Sequence, residues 1–188
     1  MKKYPIFILT ALFFTLIACQ DLKKDKQITE VTKLEERVNH VKNENDKKFD
    51  RTIGKIIASV MDVEFRIRRN YFSDTIDNAL AKKVNEYKMI RKNLRPVGKM
   101  FGQIGKGTKE ELETLKKLKT DIQNGAGDES KYDENIQFEA DKVGKLESIL
   151  KEMVDNQKKC LDTYKRLHDE MNAFSLELVE KNKHTKKK

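Results

Sequence analysis

Side-chain chemistry needs nucleophiles, acids, bases or metal ligands at spacings that let them converge, and this 188-residue chain offers few such sets. The three histidines, His40, His168 and His184, lie in different segments, and none has a second His or Cys three or four residues away to build a metal-binding helix face. They read as solvated surface or tail residues, and neither a metal nor a cofactor is expected. Gly105-Lys106-Gly107-Thr108 contains the residue types of a phosphate-binding loop. However, Met100 stands where the earlier glycine is required, Gly107 stands where Ser or Thr must follow the lysine, and no strand precedes it. Neighbouring acids such as Glu35 and Glu36, or Glu110 and Glu111, point in different directions on a helix and read as solvated charge. The expectation is a protein that is not an enzyme. The basic clusters remain: Arg66, Arg68 and Arg69; then Arg91, Lys92 and Arg95 with Lys99; then Lys186, Lys187 and Lys188 at the end. These are candidate contacts for acidic proteins, glycosaminoglycans or anionic lipid, and solubility is their competing reading. Phe101, beside Met100 and Ile104 in a glycine-rich stretch, is either a cap on the core or an exposed partner anchor.

Cys19 is the remaining chemical candidate, and its place in the chain is what distinguishes it. Lys2 and Lys3 precede an apolar run from Ile6 to Ile17, and a small residue, Ala18, follows. That is the layout of a secretory signal. The run is too short for a hydrocarbon core that needs about 20 apolar residues. Leu16-Ile17-Ala18-Cys19 resembles the lipobox of bacterial lipoproteins. The resemblance implies cleavage after Ala18, a diacylglyceryl group on the Cys19 sulfur and acylation of the new amino terminus. A thiolate is the nucleophile suited to that thioether bond, and several acyl chains at about 0.8 kcal/mol per buried methylene hold a protein firmly on a membrane. With Cys19 lipidated, Cys160 has no intrachain partner, and its helical spacing with Met153, Gln157, Tyr164 and Leu167 predicts a buried structural thiol.

The rest of the chain must then position any binding surface. Removing residues 1–18 leaves 170 residues and a formal charge of +7, enough chain for one domain with a core. Charged residues make up 38% of the sequence, aromatics 7%, with two prolines and no tryptophan, a mixture that favours long helices over sheets. Residues 19–28 read as the lipidated cysteine and a flexible tether. A helical domain is expected over 29–180, with a mobile lysine-rich tail at 181–188. The first helix starts near Thr29 to Thr32, where Thr32 has capping-box spacing with Glu35, and its stripe is Ile28, Val31, Leu34, Val38 and Val41. After a polar interval at 43–48, either a kink or an end, the stripe resumes with Phe49, Ile53, Ile56, Ile57, Val60, Ile67 and Tyr71. A turn follows at 70–74, with Ser73 or Asp74 as the next cap. A second helix ends at Arg95 because Pro96 disfavours helix at the residue before it. Gly98 to Gly107 reads as a loop, Thr108 and Glu111 restart a short third helix, and 124–131 is the clearest loop. The last helix runs from Tyr132 past Leu178. The predicted fold is therefore all-α: an elongated antiparallel bundle, up-down-up-down, with two long and two short helices.

The full layout of signal, lipobox, polar tether, Lys/Glu/Asn-rich helical domain and lysine-terminated tail resembles the small plasmid-encoded surface lipoproteins of Borrelia spirochaetes. The resemblance implies a lipid-anchored protein exposed on the outer membrane that binds host molecules in adhesion or immune evasion. Partners of that kind are complement regulators such as factor H, complement proteases, fibronectin, glycosaminoglycans and plasminogen. Gln20 in place of an aspartate after the lipidated cysteine is compatible with passage to the outer membrane. Lys188 offers a terminal ammonium and carboxylate of the kind that plasminogen's kringle domains recognise. No binding residue carries over from the family, because no binding motif of it is matched. An exported location argues against nucleic acid as a partner despite a pI near 9.3. Two alternatives stay open at this level: a structural envelope lipoprotein that faces the periplasm, and pairing of the long helices between two chains in a dimer.

Overall fold

The computed structural model describes the backbone of residues 5–73, 75 and 77–185, and the side chains of residues 22–73, 75 and 77–184. The chain is all-α, with four α-helices among the described residues: α1 (Pro5–Lys48), α2 (Ile53–Asn70), α3 (Asn78–Asn124) and α4 (Tyr132–Thr185). No strand occurs among these residues. The helices gather into two compact units. The first comprises Met1–Glu44 and Gly105–Ser148, and the second Asn45–Ile104 and Ile149–Lys188.

The first unit packs α1 with the second half of α3 and the first part of α4. Val31, Leu34 and Val38 meet Leu115, Leu118, Ile122, Tyr132, Ile136 and Val143 in one apolar cluster. Burial of this kind contributes about 25 cal/mol per Å² of apolar surface. Cross-helix pairs fix the directions. Gln27 with Asp133 and Arg37 with Glu147 advance together, so α1 and α4 are parallel here. Gly107 against Leu146 and Glu111 with Lys142 run in opposite senses, so α3 is antiparallel to α4.

The second unit repeats this pattern with α2 in place of α1. Asp50 with Gln157, Ser59 with His168 and Asn70 with Asn182 set α2 parallel to α4. Lys83 with Glu170 and Tyr87 with His168 set α3 antiparallel to it. Each unit is thus a three-helix, up-down-up arrangement, and the all-α helical-bundle fold expected from the sequence is what the described residues form.

The sequence predicts four helices and four are found, but their boundaries fall elsewhere. The polar interval after Asn43 is an end: α1 stops at Lys48 and α2 begins at Ile53. The Gln157 side chain spans this break, donating to the Lys48 carbonyl at 2.7 Å and accepting from the Asp50 amide at 2.9 Å. Buried backbone groups left by a helix end need such partners. The expected loop at Gly98–Gly107 is instead helix, and α3 runs through Pro96 without stopping. Leu94, Val97 and Ile104 are buried on one face while Pro96 is exposed. Packing therefore favours helix over local propensity, and the Lys92 carbonyl that Pro96 leaves without an amide partner lies near solvent.

Both predicted capping boxes fall inside helices. Thr32 Oγ1 bonds back to the Ile28 carbonyl and Thr108 Oγ1 to the Gly105 carbonyl, the usual mid-helix alternative for threonine. The cap of α3 is Asp77, whose carboxylate accepts from the amides of Ala79 and Leu80 at 2.9 and 3.0 Å, rather than Ser73. Asp74 and Ile76 lie outside the described residues. Residues 22–28, expected as a tether, belong to α1: Ile28 packs on the core, and buried Gln27 donates to Asp133. At the other end, 181–185 continue α4 rather than forming a mobile tail, and Asn182 donates to the Asn70 carbonyl at 3.0 Å.

The 124–131 loop is where the sequence places it. Gly125, at φ +63°, closes α3: its amide meets the Ile122 carbonyl while the Ala126 amide meets that of Asp121. That is the paired bonding of a left-handed helix cap, which glycine favours. Tyr132 then ties the loop down, its hydroxyl lying 2.7 Å from the Ala126 carbonyl and 3.1 Å from that of Asp121.

Candidate partner-binding face on helices α2 and α3

The two units differ first in charge. Residues 22–44 and 105–148 carry 14 basic and 16 acidic side chains, whereas 45–104 and 149–185 carry 21 and 14. The excess positive charge of the described chain therefore lies in the second unit. Five of the seven exposed large apolar side chains among the described residues lie there too: Met61, Phe65, Phe72, Met89 and Leu176.

Met61 and Phe65 meet basic side chains along the seam of α2 and α3. A hollow of about 500 Å³ is lined by Met61, Glu64, Phe65, Ile67, Arg68, Val84, Lys88 and Arg91. Met61 and Phe65 are 45% and 48% exposed. The helical spacing of 61, 65 and 68 puts these side chains on one face of α2, turned away from the core line of Val60, Val63 and Ile67. Arg69 places its guanidinium over the Phe65 ring, 5.7 Å from the centroid. Arg91 forms a two-pronged pair with Glu64, with nitrogen–oxygen distances of 3.0 and 3.2 Å, which ties α3 to α2 at one end of the hollow.

The structure separates the predicted basic residues into different roles. Arg68, Arg69, Lys92 and Arg95 are exposed. Arg66 is not available as a surface cation. It points inward, donating to Ser175 Oγ at 2.9 Å and Asn172 Oδ1 at 2.6 Å, and it also pairs with Asp62. Phe101 is half-buried and stacked on Phe49, with ring centroids 4.2 Å apart, beside buried Ile104, so its place is in the packing of the second unit. Asn45 braces this stack by donating to the Phe101 carbonyl at 3.2 Å. Lys186, Lys187 and Lys188, and the side chain of Cys19, lie outside the described residues. Cys160 is buried, and burial raises its thiol pKa, in keeping with a structural role.

Two polar clusters have no signature in the linear sequence. In the second unit His168 is partly buried against neighbouring helices: its Nδ1 lies 2.7 Å from the Tyr87 hydroxyl and its Nε2 3.4 Å from Ser59 Oγ, and Tyr164 stacks on its ring at 4.3 Å. Burial lowers the imidazole pKa, Asp169 opposes that shift, and Arg66 adds to it. Burial also raises the Tyr87 phenol well above its usual range. A neutral imidazole between two hydroxyls satisfies both of its nitrogens. Ser59 sits inside α2, where the backbone amides are committed to the helix, so no amide pair faces its hydroxyl in the manner that acyl transfer requires.

In the first unit Glu111 is 3% exposed, on α3, with Glu139 and Lys142 of α4 beside it. Burial, then hydrogen bonding to Glu139, raises the Glu111 pKa to about 7 against the pull of Lys142. One Lys142 ammonium serves both carboxylates, at 2.8 Å from Glu111. Two acids on one cation favour holding a proton between them.

No group of three or more potential metal-ligating side chains is assembled among the described residues. Nor is any helix among them long and apolar enough to cross a membrane. Comparison with protein-family models, with curated proteins and with solved structures finds no match for this chain.

Proposed function

We propose that this protein is a lipid-anchored bacterial surface lipoprotein that acts by binding host proteins, in adhesion or immune evasion, rather than by catalysing a reaction. The observation that carries this reading is the α2–α3 seam, where half-exposed Met61 and Phe65 lie among Arg68, Lys88 and Arg91. Exposed apolar side chains rimmed by charge mark protein–protein contact surfaces, and aromatic and arginine anchors supply most of the affinity in such contacts. The anchoring part of the reading rests on the sequence Leu16-Ile17-Ala18-Cys19, which resembles a lipobox. The implied place is the outer membrane, facing outward, with factor H, fibronectin and plasminogen as the kinds of partner to test.

Three results test the proposal. The mature chain, immobilised and exposed to host serum, should retain one or a few identifiable proteins above a mock surface. Mass spectrometry of the protein from its native membrane should find Cys19 carrying acyl chains. Protease added to intact cells should remove it. An unacylated, freely secreted product, or an empty pull-down, contradicts the proposal.

A further inference from the structure

The hollow at Met61 does not end at Arg68. A second one of about 240 Å³ lies beside it, lined in part by Tyr71, Leu80 and Ala81, and Ile67 and Val84 line both. Together they form one groove between α2 and α3 that follows α2 from Met61 to Tyr71. At 1.5 Å per residue that is about 15 Å, close to three turns of a helix. Met61, Phe65, Ile67 and Val84 supply the apolar wall of the larger hollow, Ser73, Thr75 and Asp77 line the far end of the smaller one, and Arg68 and Lys88 have no carboxylate partner among the described residues.

We infer that this groove takes an amphipathic helix of a partner protein whose apolar face carries acidic residues along its edges. The inference rests on the host-binding reading above and names the chemistry that its site would recognise. A helix laid in a groove inserts side chains at i, i+3 or i+4, and i+7, a span that three turns accommodate. Acidic flanks meet Arg68 and Lys88, and Arg69, Lys92 and Arg95 extend the same sign outward. The apolar content favours a protein helix over a sulfated polysaccharide or a lipid headgroup, which would need only the cations. Met61 and Phe65 stay half-exposed next to them, where a purely ionic ligand would leave their apolar surface uncovered.

The test uses the mature chain and three labelled synthetic peptides of about 16 residues, followed by fluorescence anisotropy. The first is an amphipathic helix with leucines at heptad spacing and glutamates on the flanks. The second has lysine flanks, and the third scrambles the acidic sequence so that no apolar face forms. Heparin is titrated separately. The acidic amphipathic peptide should bind at least about tenfold more tightly than either control, and Phe65→Ala and Lys88→Glu should each weaken it about tenfold. Lys116→Glu, on exposed α3 surface in the first unit, should leave binding unchanged. Equal binding of the scrambled peptide, or heparin binding as tight as the peptide's, indicates a general polyanion surface and overturns the inference, as does equal binding of the lysine-flanked peptide. Circular dichroism verifies that each variant is folded, and Met61→Gln probes the same wall should Phe65→Ala lose helix content. If serum proteins are retained equally by the wild type and by both groove variants, the groove assignment fails while the host-binding reading stands. An empty serum pull-down with intact peptide binding does the reverse.

Discussion

The two units share a three-helix plan and two of their helices, yet they use buried polarity in opposite ways. The first closes an aliphatic cluster around Leu115 and Ile122 and admits two buried acids, Glu111 and Glu139, which share the Lys142 ammonium. The second threads neutral hydroxyls and an imidazole, Ser59, Tyr87, Tyr164 and His168, through its core and turns Arg66 inward to Asn172 and Ser175. Outside, the first is slightly acidic and the second strongly basic, with most of the exposed large apolar side chains. One plan therefore supports two surfaces, and the second carries most of the exposed large apolar side chains together with the excess of positive charge.

The sharpest way to break this comparison is to reverse charge on each unit in turn. Lys88→Glu should reduce serum-protein retention by about tenfold or more, and Lys116→Glu should leave it unchanged. Equal losses would mean that overall charge, and not a face, governs binding. The inner network comes next in size. Arg66→Ala removes the partner of Ser175 and Asn172 and should destabilise the protein by about 2 kcal/mol, and Tyr87→Phe, which leaves His168 Nδ1 without its hydroxyl, by about 1 kcal/mol. Denaturant melts measure both, and hydrogen exchange should place the loss near 59–67 and 84–90 rather than in the first unit.

Acid should separate the units by sign. Glu111 has a folded pKa raised to about 7 from 4.5, so its folded form binds the extra proton between those values, and its contribution to stability falls as pH rises through that window. His168 has a lowered folded pKa, so the unfolded chain binds the extra proton, and stability falls as pH drops below 6.5. Hydrogen exchange at pH 7.5 and 5.5, corrected for intrinsic rates, should show amides near 111–122 better protected at the lower pH and those near 59–63 and 164–171 less protected. Glu111→Gln should abolish the first change and leave the second. Movement of both regions in one direction would contradict the assignment.

Glycine substitutions give the smallest effects and mark where α3 needs close approach. A Cβ at Gly102 would stand in open space, so Gly102→Ala should stabilise the helix by about 0.5–1 kcal/mol. At Gly107 a Cβ would lie 2.8 Å from Leu146 Cδ2, so the same change should gain less or destabilise. Thermal melts of the two variants should move apart.

Periodicity makes the cores legible, and local punctuation misleads. The stripes Val31–Leu34–Val38 and Ile53–Val60–Ile67 are buried where their spacing puts them, and the glycine turn at 124–131 is where composition puts it. Pro96, four nearby glycines and two Thr–Glu pairs all signal helix ends in stretches that packing holds helical. Around Pro96 a propensity of about 1 kcal/mol per glycine is outweighed by burying Leu94, Val97 and Ile104. The end at Lys48 shows in the sequence only as a polar interval, since its partner, Gln157, is more than a hundred residues away. The groove has a signal of its own: Met61 and Phe65 are apolar residues that fall off the core stripe of α2, and Lys88 faces this side only because α3 folds back. Glu111 and His168 look like ordinary surface residues in a linear reading, because their neighbours come from other helices.

The most direct test of the proposed contact face is a hydrogen-exchange footprint of residues 20–188 with whatever protein they retain from serum. The account predicts new protection along 61–68 and 80–92, with 22–44 and 105–148 unchanged. Protection confined to the first unit, with the α2–α3 seam exchanging as it does in the free protein, would contradict it.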